Sequence, residues 1–177
     1  LDVSRLEGGL LTIDARPESV QDVADAAIIL ARGIAHDERP IHLDVPADMP
    51  VLHVDPRRLA QALGNLLANA LKFTPENGDV RFIARMQPDG SVHLIVQDTG
   101  IGMAQETIAA ALEPFRQLDG SLARRFEGAG LGLSISKALA ELHGGELSLA
   151  SAVGDGTTVN RPAPVSVSGI VTGAQDV

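Results

Sequence analysis

A helix predicted over residues 57–73 places the strongest constraint on how this chain can fold. Asp55-Pro56 favours its start, because an N-cap carboxylate accepts backbone N–H groups and proline suits the first helical position. A second proline shortly after residue 73 favours its end. Leucine and alanine occupy most of the helix surface, but at about 100° per residue Asn65, Asn69 and Lys72 fall within ~60° of one another. One polar stripe therefore runs along an otherwise apolar helix.

The polar stripe has the residue types of a site for metal-bound phosphate. Burying an amide costs free energy unless the amide finds a partner. Mg²⁺ takes oxygen ligands and commonly combines few protein groups with substrate phosphates, so the amide oxygen of Asn69 could bind it while Lys72 faces phosphate. The stripe could also be a polar strip on a helix partly open to solvent, and taken alone it favours that plainer interpretation.

Three glycine-containing segments could bring backbone close to a ligand. The segment Asp98-Thr99-Gly100-Ile101-Gly102 follows a predicted strand; its carboxylate could accept a hydrogen bond from an exocyclic amine such as that of adenine, and its glycines allow a flat ligand to approach. The segment Gly128-Ala129-Gly130-Leu131-Gly132-Leu133 leads into a helix whose first N–H groups could hold phosphate. Gly154-Asp155-Gly156-Thr157-Thr158 is a tight turn with hydroxyls able to reach a nucleotide. Each segment alone also fits an ordinary turn, a linker or a hairpin.

Charge and composition exclude several function classes. The formal net charge of −9 argues against nucleic-acid binding and against attraction to an anionic membrane, because both partners need a basic surface. The absence of cysteine excludes disulfides, Cys-ligated zinc and thiol chemistry. No GxxxxGK[ST] loop occurs, which excludes a P-loop fold. No apolar run approaches the roughly 20 residues that span a bilayer. We therefore expect this fragment not to be inserted in a membrane and to lie in the cytoplasm, although a longer protein could carry a membrane anchor.

Helices placed around hairpin-connected strands predict an α+β fold, a two-layer sandwich with helices covering one face of a mixed β-sheet. With four Phe and no Trp or Tyr, the core must be aliphatic. Strands are predicted over residues 10–14, 41–45, 51–54, 79–86, 92–97, 146–150 and 157–159, and helices from Pro17 and over 57–73, 108–112 and 131–142. The alternation over residues 41–45 predicts a half-buried strand. The irregular, charged residues 113–128 predict a mobile loop.

The order and spacing of these segments resemble the nucleotide-binding boxes of the histidine kinase catalytic domain, in the superfamily shared with DNA gyrase, Hsp90 and MutL. Residues 65–73 are similar to the N box, and the three glycine segments are similar to the three glycine boxes. Glu113-Pro114-Phe115 is similar to the F box. The resemblance spans residues 10–160 and implies the Bergerat ATP-binding fold of that superfamily, a mixed sheet packed on three helices with a flexible ATP lid.

The resemblance implies an ATP site whose N box contributes several residues. It assigns Asn69 to Mg²⁺ and Asp98 to adenine. Asn65 and Lys72 match residues at the phosphates and are the catalytic candidates of the N box, while Phe73 matches a side chain that packs near adenine.

Further residues are implied in the glycine boxes and in the ATP lid, which matches residues 115–127. Within the lid, Arg124 or Arg125 could supply a cation to the γ-phosphate. The remaining expected nucleotide contacts are Gly100, Ile101, Gly102, Phe115, Gly128, Ala129, Gly130, Leu131, Gly132, Leu133 and Thr157. Two features depart from the family pattern: Ala129 replaces a more usual Thr, and Asn160-Arg161 is expected to interrupt the final strand.

The resemblance also implies a function, transfer of the ATP γ-phosphate to a His on a separate dimerisation domain and then to an Asp of a response regulator. Gyrase-like members carry a Glu as general base on water where this chain has Asn65, an amide that cannot accept a proton near neutral pH. Efficient hydrolysis is therefore not expected. Residues 1–9 are similar to the end of a dimerisation helix and its linker, residues 10–160 form the catalytic domain, and residues 161–177 form a C-terminal tail that could be disordered.

Two other functions stay open. A degenerate kinase could act as a nucleotide-binding or scaffolding module in a signalling complex, and a gyrase- or Hsp90-type ATPase would turn over ATP without a partner. A kinase containing this domain is expected to be a homodimer.

Overall fold

The computed structural model describes residues 12–104, 108 and 132–163. The helices in this part of the chain are α1 (Val20–Ala35), α2 (Pro56–Phe73) and α3 (Gly132–Leu142). The strands are β1 (Arg16–Glu18), β2 (His42–Asp44), β3 (Leu52–Val54), β4 (Val80–Met86), β5 (Val92–Asp98), β6 (Ser148–Ala152) and β7 (Gly156–Ala163). None of the helices described has the length and apolar character needed to cross a membrane.

The main sheet has five strands in the order β2-β4-β5-β7-β6. The edge strand β2 pairs with β4 in parallel, and all other neighbours in this sheet are antiparallel. The strands β1 and β3 form a separate antiparallel pair. Burial along β4 alternates, with Val80, Phe82 and Ala84 buried, because successive side chains point to opposite faces of a strand. The predicted α+β sandwich of a mixed sheet and three helices is confirmed.

The helix α2 lies at the centre of the helical layer and packs against both other helices. Gly64 allows α1 to approach closely, since a Cβ added there would lie 2.9 Å from Leu30 Cβ. On the α3 side, the buried Ser136 hydroxyl donates to Ala62 O at 2.9 Å. Among the described residues, the core between helices and sheet is aliphatic apart from the fully buried Phe82, as the composition predicts.

The N-terminal end of α2 is capped by Asp55, which also contacts groups distant in sequence. The Asp55 carboxylate accepts from the N–H groups of Arg57 and Arg58, each at 3.1 Å, and from Asp14 N at 3.0 Å. Burial alone would raise the pKa of Asp55, but these three donors hold the pKa of that carboxyl below its ordinary value. His143, just after α3, accepts from Asp55 N at 3.2 Å. The predicted start of α2 is confirmed.

Two secondary-structure predictions are wrong, and a third holds only in part. Residues 12–14 form no strand, and the helix does not start at Pro17, because β1 occupies Arg16–Glu18 through its pairing with β3. The helix α1 begins instead at Val20, where the Ser19 hydroxyl accepts from Asp22 N at 3.0 Å as an N-cap. The strand predicted over residues 41–45 is half-buried only at its ends: β2 itself is exposed, whereas the flanking Ile41 and Val45 pack partly buried against the core.

The final strand also differs from its prediction. Asn160-Arg161 does not interrupt it, since β7 continues to Ala163 in unbroken register with β5. The ladder depends on backbone groups, which tolerate polar residues at these positions. The predicted helix over 108–112, apart from residue 108, and the mobile loop over 113–128 lie outside the described residues.

Candidate nucleotide-binding site

The polar stripe of α2 lies partly open on an otherwise buried helix. Asn65 and Asn69 are half-buried, Lys72 is exposed, and the leucines beside them belong to the core. The Lys72 ammonium lies 5.9 Å from the centroid of the Phe73 ring, a cation–π distance. The stripe therefore presents two amides and one cation at a surface that the hydrophobic layer holds rigidly.

The first residue of α3 faces this stripe. A Cβ added at Gly132 would lie 3.7 Å from Asn65 Cβ and 3.7 Å from Asn69 Nδ2. The positive end of the α3 dipole and its first N–H groups consequently lie beside the two amides, an arrangement suited to a phosphate. The buried Ser136 side chain, one turn along α3, anchors this contact through Ala62 O.

The turn after β5 closes onto the other end of α2. Ile101 N donates to Phe73 O at 3.2 Å. Gly100 makes this approach possible, because a Cβ there would lie 2.5 Å from the same carbonyl oxygen. Thr99 fixes the other flank of the turn, with Asp79 N donating to its hydroxyl at 2.8 Å. The turn is thus held against the helix end that carries Lys72.

The carboxylate of Asp98 is buried at the end of β5, with 8% of the residue exposed. Its Oδ1 accepts from Gly100 N at 2.8 Å and from Thr157 N at 3.2 Å. Burial raises the pKa of Asp98, and the two backbone donors offset only part of that effect. Among the described residues, none donates to Oδ2. The carboxylate is therefore held in one orientation with one oxygen available to a ligand amine.

The third glycine turn joins the same cluster through backbone contacts. Gly154 N donates to Ile101 O at 2.9 Å. Gly156 has φ +79°, and a Cβ there would lie 2.1 Å from Asp98 O. Its neighbour Thr157 places a hydroxyl 2.9 Å from Ser151 Oγ, which also donates to Gly156 O. The first and third glycine turns consequently form one packed unit around the Asp98 carboxylate.

Four of the five predicted motifs have described residues, and these meet along α2. The first glycine turn contacts the C-terminal end of α2, and the third glycine turn contacts the first glycine turn. The helix α3 begins beside the middle of α2. Leu133 packs in the core, so any contact it makes with a ligand would come from its backbone. Ile101 is exposed. The predicted site residues Phe115, Arg124, Arg125, Gly128, Ala129, Gly130 and Leu131 lie outside the described residues.

Sequence reasoning missed two residues at this site. Ser151 bonds Thr157 and accepts from Met103 N at 2.8 Å, which links the first and third glycine turns. Arg39 donates to backbone carbonyls at the end of α2. Neither lies in a motif, and no pattern around either residue signals its distant partners.

Comparison with known protein families identifies the family of this chain. The model of a family described as Histidine kinase-, DNA gyrase B-, and HSP90-like ATPase matches residues 54–165, more than half of the chain. This chain belongs to that ATPase family. The matched range contains every predicted motif, and the resemblance stated from the sequence is confirmed.

Curated relatives in this ATPase family are much longer proteins. The non-motile and phage-resistance protein of Caulobacter vibrioides is 38% identical over 169 residues, which cover 93% of this chain and 20% of that protein. The circadian input-output histidine kinase CikA of Synechococcus elongatus is 38% identical over 161 residues, which cover 89% of this chain and 21% of that protein. The chain therefore spans about a fifth of the length of these relatives.

Solved structures of the ATPase family share the fold. ShkA, crystallised at full length in complex with AMPPNP, has a TM-score of 0.76 and 31% identity, covering 91% of this chain and 33% of that one. The mycobacterial sensor histidine kinase MprB has a TM-score of 0.66 and 28% identity, covering 82% of this chain and 95% of that one.

The described residues could bind Mg²⁺ only if a bound nucleotide supplied further ligands. Within residues 12–104, 108 and 132–163, no group of three or more His, Cys, Asp or Glu side chains could hold a metal ion. The amide of Asn69 offers a single hard oxygen ligand, and Mg²⁺ accepts such a site when phosphate oxygens and water complete its shell.

Proposed function

We propose that this chain is the ATP-binding catalytic domain of a two-component sensor histidine kinase. The observation that carries the proposal is the convergence of the Asp98 turn and the start of α3 on one helix, which offers an adenine acceptor and a phosphate site on the same surface. The relatives CikA and MprB are named as histidine kinases, and ShkA binds an ATP analogue. The proposal includes a cytoplasmic location, because a domain that uses ATP needs access to the ATP of the cytoplasm.

In this proposal each described residue has a separate task. Asp98 Oδ2 accepts from the exocyclic amine of adenine, and the amide of Asn69 binds Mg²⁺. Lys72 and the first N–H groups of α3 neutralise phosphate charge. The amide of Asn69 would hold the metal, and a bound Mg²⁺ would supply further positive charge for the phosphates. Arg124 or Arg125 of the proposed lid would act at the γ-phosphate.

The proposal favours phosphoryl transfer over hydrolysis because Asn65 cannot serve as a general base. Transfer depends mainly on positioning and charge neutralisation, which the site can supply without a base on water. The acceptor would be a His on a dimerisation domain, of the same or a homologous protein, followed by an Asp on a response regulator. The parent protein is proposed to be a homodimer.

Nucleotide titration tests the proposal directly. The chain should bind a fluorescent ATP analogue with Mg²⁺ and bind it more weakly without Mg²⁺. Asn69→Ala should raise Kd in Mg²⁺ by at least ~10-fold, about 1.4 kcal/mol, and remove the dependence on Mg²⁺. Asn77→Ala is the matched control, because Asn77 is an exposed residue in the turn beyond α2.

Phosphate release separates the candidate functions. The wild-type chain alone should bind ATP with little steady turnover, whereas sustained release of phosphate would favour a gyrase-type ATPase. In the full-length protein, Asn69→Ala should abolish autophosphorylation, and undiminished phosphate incorporation would overturn the assignment of the metal ligand. A full-length protein that binds ATP without labelling itself would favour the scaffolding alternative.

A further inference from the structure

Arg39 lies in the connection between α1 and β2, and its guanidinium reaches the C-terminal end of α2. Nη1 donates to Thr74 O at 2.9 Å and to Pro75 O at 2.7 Å. Nη2 donates to Leu71 O, inside the last turn of the helix. One side chain therefore binds three carbonyls at the point where the helix stops.

Asp37 holds the guanidinium in this orientation. Arg39 Nε lies 2.8 Å and Nη2 lies 2.7 Å from Asp37 Oδ2, and Arg39 N donates to Oδ1 at 2.9 Å. Together with the three carbonyls, these hydrogen bonds use four of the five guanidinium N–H groups, and Nη2 also forms an ion pair with Asp37 Oδ2. The donors of Arg39 hold the pKa of Asp37 below its ordinary value. The Asp37 carboxylate thus orients the guanidinium from one side, and the guanidinium donates to the carbonyls of the helix end on the other side.

The carbonyls in the last turn of α2 show why this matters for the site. Ala70 O accepts from Thr74 N at 3.1 Å, Leu71 O accepts from Arg39, and Phe73 O accepts from Ile101 N. The same turn carries Lys72, and Asn69 lies directly before it. The turn that presents the cation and adjoins the metal-binding amide is therefore held from two sides, by the first glycine turn and by Arg39.

We propose that Arg39, oriented by Asp37, is a positioning residue for nucleotide binding: it fixes the last turn of α2 so that Lys72 and the turn after β5 meet the same nucleotide. This inference rests on the proposed ATP site and adds a residue that lies in none of its motifs. It acts through backbone carbonyls, so the shape of the guanidinium matters as well as its charge. Lysine, with three donors on one atom, cannot reproduce the fork.

Two substitutions of Arg39 and a matched control test the role. Arg39→Ala should raise Kd for the Mg²⁺-loaded ATP analogue about tenfold, and Arg39→Lys should fall between the wild type and Arg39→Ala. Arg85 is the control because it makes a similar set of contacts elsewhere: it pairs with the Asp44 carboxylate and donates to Ala84 O at 2.7 Å. Arg85→Ala should leave Kd unchanged.

The measurement separates positioning from general stability. Kd is measured at a temperature where every variant is fully folded by circular dichroism, and Tm is measured without nucleotide. If Arg39→Ala proves unfolded, Arg39→Lys and Asp37→Asn replace it, and both should weaken binding several-fold. Wild-type affinity in the folded Arg39 variants would overturn the inference, as would equal weakening by Arg85→Ala. A wild-type chain that binds no nucleotide would overturn the proposed function and this inference together, whereas normal wild-type binding with unaffected Arg39 variants would overturn the inference alone.

Discussion

Ile101 donates its backbone N–H to Phe73 O, and this hydrogen bond joins the turn after β5 to the last turn of α2. The two residues are far apart in sequence and belong to different motifs. Their contact brings the carboxylate of Asp98, the proposed acceptor for adenine, and the cation of Lys72 onto one surface. The geometry of the site therefore depends on a close backbone approach at Gly100, which leaves no space for a side chain.

Substitution of Gly100 should break this approach. Gly100→Ala places a Cβ 2.5 Å from Phe73 O and 2.8 Å from Asp98 Oδ1, so the turn must move away from α2. We expect a loss of about 1–3 kcal/mol in the free energy of unfolding, measured by urea denaturation. Gly132→Ala is the control, because its Cβ would meet its neighbours at ordinary distances of 3.7 Å. Equal stability of the two variants would contradict the crowding described at Gly100.

Asp98→Asn should change the choice of nucleotide. If Oδ1 of the new amide keeps the hydrogen bonds from Gly100 and Thr157, its NH₂ replaces the oxygen that faces the ligand. A donor then meets the amine of adenine, whereas the O6 acceptor of guanine would be accommodated. We expect ATP affinity to fall at least ~10-fold and the preference for ATP over GTP to shrink, measured by competition against a fluorescent analogue. Retained preference for ATP would contradict the proposed role.

The same variant should not lose stability. Because burial raises the pKa of Asp98, the native state binds a proton more readily than the unfolded state. This carboxylate therefore lowers stability as pH rises from its ordinary pKa through its raised native pKa. We expect Asp98→Asn to unfold at pH 7 with a free energy equal to or higher than that of the wild type. A large destabilisation would show that the carboxylate also supports the fold.

Local sequence signals predict α2 and its polar stripe well. Asp55-Pro56 marks the start of the helix through chemistry confined to a few neighbouring residues, and the helical period places Asn65 and Asn69 on one side. The strand β1 was not predictable in this way. It is three residues long, contains Pro17 and exists through pairing with β3.

The contacts that assemble the site were less predictable than its motifs. Arg39 binds carbonyls more than thirty residues away. Every residue has a backbone carbonyl, so the sequence does not reveal which ones Arg39 contacts. The same holds for Ile101 and Phe73, whose bond joins two backbone groups. The resemblance to a known family supplied the order of the motifs, but the residues that hold the motifs together emerge only from the tertiary structure.

Thr74 carries a buried hydroxyl that forms no hydrogen bond within the described part of the chain, and 4% of the residue is exposed. Thr74→Val keeps the shape of the side chain and removes the unpaired polar atom, so we expect stability to stay equal or rise by up to about 1 kcal/mol. Thr99→Val is the matched control. It removes the acceptor for Asp79 N and should cost up to about 1 kcal/mol. Urea denaturation of both variants checks the opposite signs, and a clear loss for Thr74→Val would reveal a partner for its hydroxyl.

Asp55 should make the stability of the domain depend on acid pH. Its pKa is lowered in the native state by backbone donors at the start of α2 and at Asp14, so its contribution is present above the ordinary value of 3.8 and is lost as pH falls through the lowered native value. Asp55→Ala should cost about 1–2 kcal/mol at pH 7. That difference from the wild type should begin to shrink as pH falls below 3.8, because the unfolded chain then binds a proton that the native carboxylate does not yet accept.

Asp55→Asn separates the cap from the charge. Asparagine caps helices about as well as aspartate, but its amide cannot accept from Asp14 N through Nδ2 and does not titrate. We expect a smaller loss than for Asp55→Ala at pH 7. Urea denaturation at pH 7, 5 and 3 provides the comparison. If the gap between the wild type and Asp55→Ala stays constant over this range, the carboxylate is not held in its charged form by the helix start, and the proposed origin of the lowered pKa is wrong.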